Sequence, residues 1–368
     1  MSVKHTKPNL NQSQVAEMVK RLFSLTPSEM RSLPSYDDQN FYVAAVEGGE
    51  YVLKIMNSEH SKNPTLIEVQ TYAMAFLHQN GLPAQKAIPN TAGQSISMEE
   101  MDCGHGAQTY CVRLMTYVHG KTVAESPVTT QDVYHVGKLA ATLDKTLEQL
   151  CIFHLQSHDT PWSLSNIPLL EGYLSVMDGN PLQEVIKAVT EQYKLHVDPK
   201  ISSFSKGIIH RDLSDQNIIV TPIANGHHEI SGIIEFSLLM NGCYVFELAI
   251  TIMYLMLENP NPLDVGGPLI AGWESIMPLS DDERDSLYLL VLGRLCQSLV
   301  YGQYYSRKYP DNKEYILTTA RNGFQMLAKL WELETAEERQ ECRERETGND
   351  MQERATGRIR TLGFRSKD

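Results

Sequence analysis

The sequence predicts an α+β fold in two lobes. Residues 1–118 form a small antiparallel β-rich N-lobe, and 119–335 form a larger α-helical C-lobe. Three observations carry this prediction. Strand-like runs separated by turn signals crowd before residue 119. From Gln131 onward, apolar residues recur at helical spacing. A single loop-and-hairpin run, His210 to Leu238, interrupts the helices.

The first element is a helix over 11–24. Val15, Met18, Val19, Leu22 and Phe23 recur every three or four residues, and Asn11 or Ser13 caps it. Residues 29–56 then read as three short strands, with Glu47-Gly48-Gly49-Glu50 as a hairpin turn. The third strand, YVLKIM, carries Lys54 among apolar neighbours. Simple alternation could point Lys54 outward; the functional reading is a lysine that holds nucleotide phosphates. No GxGxxG lies between the first two strands. The turn Ser35 to Asn40 is the candidate phosphate cover, through backbone N–H groups and the Ser35 hydroxyl, with Asp37 and Asp38 expected to point away.

A helix over 63–81 follows, with Asn63 as cap, Pro64 in the first turn and Gly81 after the end. Glu68 is its only acid and hence the candidate partner for Lys54, although it lies off the stripe of Leu66, Val69, Ala73, Phe76 and Leu77. A solvated glutamate is the plainer alternative. Two more strands are expected over 85–118, ending in a connection, Met115 to Val118, the segment that would bind a purine edge through its backbone if the fold is kinase-like. Gly120-Lys121-Thr122 lacks the glycine a phosphate-binding loop needs at 115, so that motif is rejected.

Helices are expected over 132–150, within 161–201, and over 243–258, 282–305 and 314–331. Beyond about 335 the charged sequence predicts a helix end fading into a disordered tail over 336–368. The apolar run Cys243 to Leu257 is too short for a membrane span and contains Glu247, so it reads as a buried helix.

The chemistry concentrates in HRDLSDQNIIV. His210, Asp212 and, five residues after the aspartate, Asn217 have the spacing of a loop that transfers phosphoryl groups. Asp212 takes or orients the proton of an attacking hydroxyl. Asn217, with Glu235 at the end of the next strand-like run, offers oxygen ligands to Mg²⁺. An ordinary hairpin with a hydrogen-bonded aspartate is the competing reading. Glu247, alone in an apolar helix, is the candidate for a substrate cation, with a structural pair to Arg294 as the alternative.

Composition narrows the partners. A net charge of −13 disfavours nucleic acid. Six cysteines without CxxC or Cys/His spacing read as free thiols in a reducing, cytoplasmic compartment. MSVKHTKPNLNQSQ has no apolar core, so no secretory signal is expected.

Taken with LPSYDDQNF, EYVLKI, LIEVQ, VGKLAATLD and YVFELAITIMYLMLE, the chain resembles the aminoglycoside phosphotransferase and choline kinase family over roughly 15–335. The resemblance implies a protein-kinase-like fold. It also implies transfer, with Mg²⁺, of the γ-phosphate of a nucleoside triphosphate to the hydroxyl of 5-hydroxy-L-lysine, with GTP as the family's donor and ATP as the alternative. Two departures stand at the site. The family reads HGDLxxxN and DFGD; here Arg211 replaces the glycine, and Glu235 and Leu238 replace the two aspartates. These leave open a weakened or inactive relative that binds nucleotide, or a kinase for another amino-alcohol or sugar. Arg211 also gives the protein-kinase form HRD, but Ser237 to Gly242 leaves no room for a peptide-docking activation segment.

Overall fold

The computed structural model describes residues 6–104, 106–150 and 160–346. These fall into two compact units. One comprises the described residues through His119 together with Ser231–Ser237; the other comprises the described residues from Gly120 on, without that segment.

In the first unit the sequence patterns become structure directly. Asn11 caps α1 (Gln12–Phe23): its side chain accepts the Gln14 amide at 3.0 Å, while Gln14 Oε1 accepts the Asn11 amide at 2.9 Å. The five apolar residues read as its stripe are all buried. They pack on Phe41, Val43, Leu53, Ile55, Tyr110, Val112 and Leu114 from the sheet.

That sheet is antiparallel throughout. Strands β1 (Pro27–Leu33), β2 (Gln39–Ala45) and β3 (Glu50–Ile55) pair in sequence, and β3 pairs β6 (Ala107–Thr116). The far edge of β6 is shared by β4 (Ala87–Ile88) and β5 (Ser97–Asp102). Gly48 and Gly49, with φ of 95° and 91°, make the β2–β3 turn that a side chain would strain. Because strand side chains alternate, Leu53 and Ile55 facing α1 put Lys54 on the opposite face, in register with Arg113.

Helix α2 (Pro64–Gln79) covers that opposite face. Asn63 accepts the Leu66 amide at 3.1 Å, and Gly81 follows with φ 84°. Its buried residues are Ile67, Gln70, Thr71, Ala73, Met74 and Leu77, so the stripe expected through Leu66, Val69 and Phe76 is rotated. Segment Ser231–Ser237 is tied into this unit: the Ile233 amide donates to Pro83 O at 2.8 Å, and Gln70 Nε2 donates to Ser237 O at 2.7 Å.

The second unit is mainly helical, with short strands around the polar loop. Strand β9 (Ile218–Pro222) lies between β7 (Lys121–Thr122) and β10 (His228–Ile233), and β8 (Lys206–Ile209) pairs β11 (Met240–Cys243). The helices are α3 (Thr130–Leu147), α4 (Gln183–His196), α5 (Tyr244–Glu258), α6 (Gly266–Glu274), α7 (Asp281–Lys308), α8 (Lys313–Ile316) and α9 (Ala320–Glu346). Helix α9 runs well past 331, and 347–368 lie outside the described residues. Helices α3 and α6 meet through glycines. A Cβ added at Gly137 would stand 2.0 Å from Leu269 O, and one at Gly272 2.0 Å from Tyr134 O. No described helix is long and apolar enough to cross a membrane. Cys103, Cys111, Cys243 and Cys296 are free thiols.

Candidate active site

In the first unit the site is built around Lys54. It is 3% exposed, and its ammonium lies 2.8 Å from Asp38 Oδ2 and 2.7 Å from Glu235 Oε2. Burial works against the charge of Lys54, but the Asp38 and Glu235 carboxylates outweigh it and raise the lysine above its ordinary value. Burial likewise opposes the charge on Glu235, yet Lys54 and Ser237 pull its carboxyl down to about 2. The second Glu235 oxygen accepts the Ser237 hydroxyl, and the Ser237 amide at 3.3 Å.

Several expectations for this unit change. Glu68 is exposed and is not the partner of Lys54; α2 turns Gln70 and Thr71 inward instead. Asp38 does not point away, since it holds the lysine and accepts the Asn57 amide at 2.8 Å. Asp37 faces Asn57 Nδ2 at 3.0 Å, and burial pushes its carboxyl up to about 6, helped by the neighbouring Asp38 charge. The Ser35 hydroxyl donates to Asp38 O at 2.8 Å and so closes its own turn. Met115 lies inside β6, between Val52 and Ala87, with its side chain buried. Val118 lies past the end of β6, against Gly232, where an added Cβ would stand 2.3 Å from Val118 Cγ1.

In the second unit the loop after β8 presents Asp212. Its side chain keeps 24% exposure while both oxygens are held: Asn217 Nδ2 donates to Oδ2 at 2.9 Å, and Arg294 Nη2 approaches Oδ1 at 3.4 Å. Asn217 Nδ2 also reaches Asp212 O at 2.8 Å, so Oδ1 is the amide's lone-pair face, suited to a hard cation. His210 is fully buried and accepts the Asp212 amide on Nδ1 at 3.3 Å, so it braces the loop.

Glu247 does not pair with Arg294, which faces Asp212 instead. It is fully buried on α5, and its two oxygens accept the amides of Arg211 at 2.7 Å and Leu213 at 3.2 Å, the residues flanking Asp212. A lone acid in an apolar helix was the visible signal, but its partners are loop amides, which no charge pattern reveals. Arg211 has φ 68°, a left-handed backbone that favours the family's glycine there; the Glu247 contact helps hold an arginine in it. The Arg211 guanidinium donates to Thr160 Oγ1 at 3.1 Å. Glu235 is left-handed too, with φ 65°, where aspartate fits more readily.

Burial lifts the Glu247 carboxyl to about 7. The folded protein therefore binds this proton more tightly than the unfolded chain, and its contribution to stability falls as pH rises from about 4.5 to about 7. Glu247→Gln removes that slope. Between pH 5 and 8 the parent is expected to lose on the order of 2 kcal/mol more stability than the variant. Denaturant unfolding of both proteins checks this, and parallel curves would contradict it.

A two-unit α+β protein with a buried lysine pair and a braced HxD…N loop is a protein-kinase-like fold. The family model described as "Phosphotransferase enzyme family" matches residues 29–281, and the chain belongs to that family. A hydroxylysine kinase of Danio rerio is 53% identical over 336 residues, covering 90% of this chain and 95% of the relative. One from Mus musculus is 40% identical over 343 residues, covering 89% and 91%. Among solved structures, an amicoumacin kinase in complex with AMP-PNP and Ca²⁺ superposes with a TM-score of 0.65 at 16% identity, covering 88% of this chain and 92% of that one. The chain is accordingly a small-molecule phosphotransferase with an alcohol group as acceptor.

Proposed function

We propose that the protein transfers the γ-phosphoryl group of GTP or ATP to the hydroxyl of 5-hydroxy-L-lysine. The observation that carries this reading is Asp212, held at both oxygens yet still exposed on a loop of the phosphotransferase pattern. The acceptor comes from the hydroxylysine kinase relatives.

In this reading Asp212 receives the acceptor hydroxyl and orients its proton. Lys54, kept charged by two carboxylates, neutralises nucleotide phosphate oxygens, with Met115 to Val118 beside the base. Glu235, with a carboxylate, and Asn217, with an amide oxygen, are the proposed Mg²⁺ ligands by their chemistry, both being hard donors. Mg²⁺ bound by them would offset charge on the transferring phosphates.

The direct test is transfer of labelled γ-phosphate to hydroxylysine, with GTP and ATP in parallel and homoserine, choline and an aminoglycoside as alternative acceptors. Transfer selective for hydroxylysine supports the reading. Nucleotide binding without turnover on any acceptor would favour an inactive relative. The metal assignment has its own check. Glu235→Asp restores the shorter acid in a backbone conformation that aspartate tolerates better. The Mg²⁺ needed for half-maximal transfer should fall and kcat should rise several-fold, within the ~10²-fold that a 1 Å displacement costs. An unchanged Mg²⁺ titration would remove Glu235 from the ligand set.

A further inference from the structure

Arg294 lies on α7 and is 2% exposed, so it cannot itself reach a substrate in solvent. Its contacts all serve to fix one plane. Trp162 and Tyr254 place their rings 5.0 and 5.4 Å from the guanidinium carbon. Nη1 donates to Trp162 O at 3.2 Å, and Nη2 to the Tyr254 hydroxyl at 3.3 Å. The same Nη2 faces Asp212 Oδ1 at 3.4 Å. Nε is buried with no hydrogen-bond partner among the described residues. An incompletely satisfied buried cation is costly to the fold, and an apolar residue of similar volume would fill the space with less penalty. What an apolar residue cannot do is hold a charged carboxylate.

We propose that Arg294 is a positioning residue for phosphoryl transfer. It holds Oδ1 of Asp212 while Asn217 holds Oδ2, so that the exposed carboxylate has one orientation before the acceptor arrives. Trp162 and Tyr254 fix the guanidinium in turn. This inference rests on Asp212 being the group that receives the acceptor hydroxyl. A carboxylate free to rotate must be ordered at the moment of reaction, and fixing it beforehand removes that cost from the barrier.

The experiment is a double-mutant cycle on the full chain, read by labelled γ-phosphate transfer to hydroxylysine. Arg294→Gln should lower kcat roughly 10- to 100-fold and leave the KM for nucleotide and acceptor within about twofold. Arg294→Lys should recover part of the loss by returning the charge. In an Asp212→Asn background, Arg294→Gln should cost nothing further, because the group it acts through is already gone. A packing role would instead lower activity equally in both backgrounds, and that result overturns the proposal. So does an unchanged kcat in Arg294→Gln when Asp212→Asn is inactive; in that case the function reading stands and only the role of Arg294 falls. If Asp212→Asn itself keeps full turnover, both fall together. If Arg294→Gln does not fold, Tyr254→Phe removes only the hydroxyl on Nη2 and runs through the same cycle. Its expected loss is smaller, roughly three- to tenfold, and again confined to the Asp212 background.

Discussion

Asp212→Asn is expected to lower kcat roughly 10²- to 10⁴-fold, the range that loss of a positioned acid–base group produces. The amide is nearly isosteric with the carboxylate, so the loop held by Glu247 and His210 should keep its shape. What disappears is the charge that Arg294 faces and, in the role proposed for Asp212, the acceptor for the substrate proton. A thermal melt close to the parent's, with nucleotide affinity retained, would locate the loss in chemistry. Near-parental turnover in a folded variant would show that another group receives the hydroxyl.

Lys54→Met should carry the largest cost to stability. Two carboxylates, Asp38 and Glu235, lie within 2.8 Å of the ammonium, and the lysine side chain is 4% exposed. Removing the cation leaves two negative groups facing each other in a partly dry site. Breaking a buried ion pair in this way costs about 3–5 kcal/mol. The first unit should melt roughly 10 °C lower, and nucleotide affinity should fall with it. Adding Asp38→Asn to Lys54→Met removes one of the stranded charges and should restore part of the stability. If the double variant melts lower than Lys54→Met alone, repulsion between the two acids is not the source of the loss.

The elements that local periodicity can specify were legible in the sequence. Helix α1, the β2–β3 hairpin with its glycines, the start of α2 and the buried α5 all follow from patterns a few residues long. Lys54 and the Asp212–Asn217 spacing stood out because a lysine inside an apolar strand and an HxD…N spacing are patterns a few residues long. The partners were not. Lys54 meets Glu235 across 181 positions, and Arg294 meets Asp212 across 82. Glu68 drew attention as the only acid on its helix, but α2 is apolar on several sides, so spacing alone does not fix which face turns inward. Glu247 reads the same in sequence whether it meets a cation or backbone amides, because amide donors leave no mark on residue identity. The departures from the family pattern at 211 and 235 become intelligible only through backbone angles. Both sit where the chain is left-handed, so each replacement exchanges a residue suited to that conformation for one that must be held there.

The glycine contact between α3 and α6 limits how the second unit can move. Packed helices ordinarily slide past one another on a layer of side chains that hop between rotamers, and small shear of this kind is a common way for a domain to adjust to ligand. Here a carbonyl oxygen from each helix occupies the place where the other's Cβ would stand. No layer of side chains lies between the two backbones at these points, so displacement there meets main chain instead of a rotatable group. The two helices are therefore expected to travel as one body, with any shear in this unit taken up away from this contact.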